Sequence, residues 1–320
     1  MTSLSLKARA ACLLGLVALL ALPVLASLTG ETFYISMASR ILIFGIAASA
    51  LNLVFGYGGL VSLGHALFLG IGAYSVAIPS FYGIGNGFVH LGICLVACAA
   101  VGAMTAAISL RTSGIGFIMI TLAFAQMGYF AFMSLKQYGG DDGTPISATS
   151  RFGALDLGSS IHLYYAIVTV LLATIVGMYW LRRSSFGMVL RGARQNARRA
   201  SALGFDVKRT QWLAYILSAT TCGIAGMLFA NLNAFASPSL MSWFISSELI
   251  VMVVLGGVGT VLGPVLGAIA FIGAEELAKA VTLHWAAYIG LAVIVVAVWA
   301  RNGLVGSMAS WASKPVKVQA

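Results

Sequence analysis

Apolar runs the length of a bilayer crossing follow one another along this chain, separated by short polar breaks. About ten can be bounded, near 10–28, 35–55, 60–81, 88–110, 114–135, 161–181, 211–231, 245–258, 260–278 and 283–300. A helix rising 1.5 Å per residue needs about 20 mainly apolar residues to cross the hydrocarbon layer, and most of these runs supply them. The run at 245–258 is short, and those opening near 60 and 260 follow glycine turns too tight for a loop. One or two of the ten are therefore expected to be broken or re-entrant. The pattern predicts an all-α polytopic membrane protein, a single transmembrane domain over 1–320.

Two polar stretches interrupt it. The first, 136–160, is rich in Gly, Pro, Asp and Ser and reads as a turn-rich loop. The second, 182–210, carries helical periodicity: Arg191, Arg194 and Arg198 fall on one face, Val189, Ala193, Ala197 and Ala200 on the other. Ser184 or Ser185 can cap the start of this helix and Gly204 can close it. Its arginines suit anionic headgroups or a protein partner. An apolar face of alanine buries little hydrocarbon and fits a protein groove better.

Composition agrees, with 60% apolar residues, 8% charged and a mean hydropathy of +1.00, too little polar surface to cover a soluble globule. The net charge of +10 is confined to loops, which argues for membrane orientation rather than nucleic acid. With both termini cytoplasmic, the inner loops collect Lys7, Arg9, Arg111, the arginines from 182 to 199, Lys208, Arg209, Arg301, Lys314 and Lys317. Only Arg40, Lys136, Arg151 and Lys279 fall outside or at its margin, the expected positive-inside bias. The run at 10–28 is long enough to be a retained helix rather than a cleaved signal. Cys12, Cys94, Cys98 and Cys222 all lie in apolar segments and read as core; no metal site is expected.

Small residues mark close packing. Gly259, Gly263 and Gly267 recur every four residues, a stripe that lets helices approach backbone to backbone. An echo at an offset of 200 pairs Gly56 with Gly256, Gly59 with Gly259 and Val61 with Val261. No P-loop pattern occurs, so ATP is not expected to bind this chain, and the motifs of intramembrane proteases are also missing. Of the charged groups inside apolar runs, Glu248 reads as serving a helix N-terminus near the outer interface, and Arg40 as snorkelling outward. Neither shows a spaced partner for a proton relay. His65, beside Ser62 and Gly64, is either a neutral ring hydrogen-bonded in a helix junction or a group in contact with cargo. His90, His162 and His284 fall near outer helix ends, where such rings are ordinary.

The stretch "ALNLVFGYGGLVSLGHALFLGIGAYSVAI" (50–78) resembles the signature of the membrane permeases of branched-chain amino acid ABC importers. The likeness continues through "RTSGIGFIMITLAFAQM" (111–127), "SSFGMVLRGARQNARRASALGFD" (184–206) and "SSELIVMVVLGGVGTVLGPVLGA" (246–268), and is most specific to the LivM-type member of the permease pair. The resemblance implies a non-catalytic importer subunit of a bacterial inner membrane. A second permease, two cytoplasmic ATPases that hydrolyse the ATP, and a periplasmic binding protein would be its partners. The segment 182–210 would be the cytoplasmic coupling loop and 136–160 the periplasmic one. Phe186, Gly187, Arg191, Arg194, Asn196, Arg198, Ala200 and Gly204 would serve ATPase coupling. Asn52, Ser62, His65 and Glu248 are candidates for the cargo pathway, and Gly56, Gly59, Gly259, Gly263 and Gly267 for helix packing. Where the family carries a glutamate near Ala197, this chain reads Arg194-Gln195-Asn196-Ala197. Urea and short-chain amide permeases share much of the same pattern.

Overall fold

The computed structural model describes residues 32–153 and 155–281, with a few single positions beyond them. The described residues form the helices α1 (Thr32–Asn52), α2 (His65–Phe81), α3 (Gly87–Ser109), α4 (Ile115–Met133), α5 (Ser160–Arg183), α6 (Ser185–Ala202), α7 (Val207–Asn233), α8 (Trp243–Gly256) and α9 (Gly263–Val281). Five are long and apolar enough to cross a membrane: α1 with its π-helical extension through Tyr57, α3, α4, α5 and α7. α2 and α8 are shorter apolar helices. The chain is a multi-pass helical membrane protein. Every expected apolar run within the described residues is helical over most of its length, whereas those at 10–28 and 283–300 fall almost wholly outside them.

α7 runs through the middle of the bundle, and glycine sets how closely its neighbours approach. A methyl on Gly72 of α2 would strike the Gly223 carbonyl, and one on Gly226 would strike the Leu69 carbonyl. At Gly223 the missing side chain leaves room for the Cys98 sulfur, so Cys94 and Cys98 are core residues of the α3–α7 face. The expected stripe is only partly helical. Gly263 and Gly267 lie on α9 against the backbone of α8, but Gly259 has φ 77° and forms a turn ahead of the helix.

The short helix α2 starts inside the fold, with His65 and Ala66 wholly buried. α2 begins at His65 rather than near residue 60, because 58–64 is non-helical. Backbone N–H groups stranded in hydrocarbon cost several kcal/mol each, so such a start must be satisfied by side chains. Three hydroxyls do this. Thr121 accepts from Leu63 N at 3.2 Å, Ser62 from Gly64 N at 3.2 Å, and Ser246, in the first turns of α8, from Ala66 N at 2.9 Å.

The loop between α4 and α5 is tied down at the far end from α6. It carries β1 (Thr144–Pro145), β2 (Arg151–Phe152) and β3 (Leu155–Asp156), and β1 pairs antiparallel with β4 (Phe235–Ala236) just after α7. His90, expected as an ordinary interfacial ring, is fully enclosed there. Its Nε2 donates to the Ile84 carbonyl at 2.9 Å, so its Nδ1 accepts from Ser150 at 2.8 Å, and Asn231 holds Ser150 from the other side. On the loop surface, the Gly158 N–H and the Arg151 guanidinium hold the Asp156 carboxyl below its ordinary pKa.

Candidate functional site

At the opposite end lies α6. Ser184 caps it, its hydroxyl accepting from Gly187 N at 3.3 Å, and a side chain at Gly187 would collide with the Leu181 carbonyl. The expected single helix is broken at Asn196, which is extended (φ −159°, ψ 98°). The Asn196 carboxamide then accepts from Arg199 N at 3.0 Å, so the residue caps a second helical piece. The break rotates the faces relative to one another. Leu190 and Ala193 are buried before it and Ala200 after it, while Ala197, expected inward, is exposed. Leu190 packs with Leu53, Tyr57, Met178 and Ala214, and Phe186 lies against the same group. The piece ends at Ala202, and Gly204 turns the chain with φ 89°.

The arginines divide by partner. Arg191 donates through Nε to the Gly187 carbonyl at 3.2 Å and through Nη2 to the Arg182 carbonyl at 3.0 Å, where the last turn of α5 presents unpaired carbonyls. Arg194 donates through Nη1 to the Gly56 carbonyl, and its stem lies over Gly59. Both residues were expected to offer their charges outward. Arg198 does, pairing with nothing among the described residues.

Arg194 thereby touches the place where the echo in sequence becomes an echo in structure. Gly59 and Gly259 are both left-handed, with φ 71° and 77°, and the two turns pack on each other. A methyl on Gly56 would lie 2.7 Å from the Gly259 nitrogen, and one on Gly259 would lie 3.5 Å from Arg194 Nη1. Asn52 closes the pair: its Oδ1 accepts from Gly259 N at 2.9 Å and its Nδ2 donates to the Thr260 carbonyl at 2.8 Å. One amide satisfies two backbone groups of the second turn while standing on the helix that leads into the first. Short polar links thus join α6 to the first turn and α1 to the second.

Deeper in the bundle, His65 organises a second node. Ser218 donates to the Ala50 carbonyl at 2.5 Å, so it must accept from His65 Nε2 at 2.8 Å. The Nε2–H tautomer follows, and Nδ1 accepts from Ser62 at 3.1 Å. Tyr215 lies 3.4 Å from the Ser62 oxygen, and Cys222 donates its thiol to the His65 carbonyl. Ser62 and His65 are wholly buried and Asn52 nearly so; all three carry helix-junction hydrogen bonds. Of the four pathway candidates only Glu248 reaches the surface, on the first half of α8.

Sequence reasoning passed over Glu275. It lies buried on α9, 3.4 Å from Arg40 of α1 and 2.5 Å from Lys279 one turn on. Arg40 is thus paired across helices rather than simply snorkelling. The signal was present in a carboxylate and an amine spaced i,i+4 inside an apolar run.

These features define a class: a multi-pass helical membrane protein with a helix start inside the bundle and a basic helix bound to one of a pair of packed glycine turns. The model of the family described as branched-chain amino acid transport system / permease component matches residues 33–298, and the chain belongs to that family. It is 27% identical to the high-affinity branched-chain amino acid transport system permease protein LivM of Escherichia coli (strain K12), over 91% of this chain and 74% of that protein. A probable LivM of Methanocaldococcus jannaschii is 26% identical, over 72% of this chain and 76% of that one. LivH of Escherichia coli is 22% identical, over 74% of this chain and 82% of that one. No solved structure matches.

Proposed function

We propose that this chain is one of two permease subunits of an ABC importer in a bacterial inner membrane. It passes branched-chain amino acids, delivered by a periplasmic binding protein, through a pathway shared with a second permease. Both termini are cytoplasmic, about ten segments make the domain, and α6 lies at the cytoplasmic end. The chain binds no cofactor and catalyses no reaction. Two ATPase subunits hydrolyse the ATP and engage α6 through Phe186, Arg198 and the surface around the Asn196 break.

The supporting observation is the junction itself. A helix whose Arg194 bonds to the first of two glycine turns, which Asn52 ties to the second, is suited to carry a push from outside into the spans, and this chain contains no nucleotide motif to generate one. Glu248, a partly exposed carboxylate on the short helix α8, is the pathway candidate with access to cargo.

The test is reconstitution. Proteoliposomes with both permeases, the ATPases and the binding protein should accumulate leucine, isoleucine and valine with ATP, and urea or a simple sugar should not substitute. Arg198→Glu should leave the chain inserted and reduce ATPase co-purification. Solute accumulation by this chain alone, driven by a proton or sodium gradient, would overturn the reading.

A further inference from the structure

On the same end of the bundle as α6, but on the face shared by α3 and α7, an open cavity of about 350 Å³ lies between the two helices. Its lining is Ala106, Ala107, Leu110 and Trp212, rimmed by Arg111, Lys208 and Arg209. Among the described residues none of the three cationic heads has a hydrogen-bond or ion-pair partner. The nearest acid in sequence, Asp206, is already engaged in capping α7, accepting from Arg209 N at 3.0 Å. The indole of Trp212 donates to the Ala103 carbonyl at 3.0 Å, which fixes the ring as a wall.

The depth of the cavity is set by its helices. α3 and α7 are both membrane-length and antiparallel: His90 and Asn231 meet Ser150 at one end, and Ala103 meets Trp212 near the other. The cavity therefore sits where both spans leave the hydrocarbon, at the level where tryptophan collects. On the same face of α3 as Ala107 and Arg111, Ile108 stands level with the cavity and Met104 deeper in the membrane. On α7, Leu213 and Leu217 continue from Arg209 and Trp212. All four are exposed.

We propose that this cavity is a binding site for one anionic phospholipid of the adjoining leaflet. Arg111, Lys208 and Arg209 hold the phosphate, Trp212 shelters the glycerol region, and the two apolar rows receive the acyl chains. Cationic rims between transmembrane helices attract such headgroups, and apolar rails leading away from the rim select a lipid over a soluble phosphate.

Native mass spectrometry of the full chain released from nanodiscs tests this. With phosphatidylglycerol the chain should retain one tight adduct. Arg111→Gln with Lys208→Gln and Arg209→Gln should weaken that adduct roughly a hundredfold at low salt. Ala107→Trp, which fills the cavity and leaves the charges, should also lose it, and Arg182→Gln with Arg183→Gln should not. Glycerol phosphate at millimolar concentration should not compete. Equal retention of phosphatidylcholine, competition by glycerol phosphate, or an undiminished adduct in the triple variant would overturn the site. So would a triple variant that keeps the adduct and loses the ATPases, which would make the rim a protein contact.

Discussion

The turns at Gly56–Gly59 and Gly256–Gly259 share a spacing, a left-handed glycine and a common arginine, yet the chain leaves them differently. After Gly259 the helix restarts within a few residues: Thr260 accepts from Gly263 N at 3.1 Å and α9 begins. After Gly59 the chain stays non-helical until His65, and the N–H groups at the start of α2 are met by hydroxyls from two other helices and from Ser62. The second turn satisfies itself locally, while the first depends on neighbours far away in sequence. The same local signal therefore yields one tight reversal and one long re-entry. The side chains available at the re-entry point decide which.

The sharpest way to break that comparison is at His65. His65→Leu strips Ser62 and Ser218 of their shared partner in a dry interior, and each unsatisfied group costs about 1–3 kcal/mol. The full chain in detergent should lose roughly 2–5 kcal/mol, read as a large fall in melting temperature. Thr260→Val, the corresponding disruption at the second turn, removes one cap and should cost about 1 kcal/mol. Equal losses from the two changes would mean that the turns are held alike.

Asn52 comes next, because it joins the turns. Asn52→Leu leaves the Gly259 N–H and the Thr260 carbonyl without partners, for about 2–3 kcal/mol. Asn52→Asp keeps the acceptor for Gly259 and forfeits the donor to Thr260, so it should fall between the two in a thermal melt. If Asn52→Leu melts with the parent, the amide is not what binds the turns.

The paired glycines give a smaller and more diagnostic effect. Forcing alanine into a left-handed conformation costs about 1–2 kcal/mol at either site. The surroundings then separate them. A methyl at Gly59 meets the Arg194 Cγ at 2.7 Å, the stem of a flexible side chain, while at Gly259 it meets the Gly56 carbonyl oxygen at 3.2 Å, which is backbone. Gly259→Ala should be the less stable protein, and Gly59→Ala should be the one that pushes Arg194 aside. Melting temperatures in the reverse order would refute this account of the contacts at the two turns.

Much of this architecture was legible in the sequence. Runs of apolar residues marked each described span to within a few residues, since hydrocarbon demands length and little else. The echo of Gly56 and Gly59 in Gly256 and Gly259 was visible because positive φ at Gly59 and Gly259, and close backbone approach at Gly56 and Gly256, leave glycine as nearly the sole choice. What stayed hidden was partnership. The Glu275–Arg40 pair spans most of the chain, and the break at Asn196 trades a helical hydrogen bond for a cap that residue type alone does not announce. Arg191 and Arg194 have the spacing of an outward basic face; their bonds to Gly187, Arg182 and Gly56 come from where α5 and the first turn happen to end.

Arg194 is where stability should change least and the comparison is best sharpened. The residue is exposed, so Arg194→Met, which keeps the stem over Gly59, should cost less than about 1 kcal/mol. The bond to Gly56 is nevertheless its hydrogen bond to the first turn, whereas Asn52 still ties the turns together without it. The methionine variant should assemble with the proposed ATPases, since the outward surface around Arg198 is untouched, but α6 would no longer draw on the Gly56 carbonyl. ATP hydrolysis should then continue while uptake in proteoliposomes drops severalfold. Arg194→Lys, which can still reach a single carbonyl, should recover part of the uptake. A methionine variant that transports at the parental rate would show that the push enters through the buried face of α6, by Leu190 and Ala193, and that the arginine merely rests on the turns.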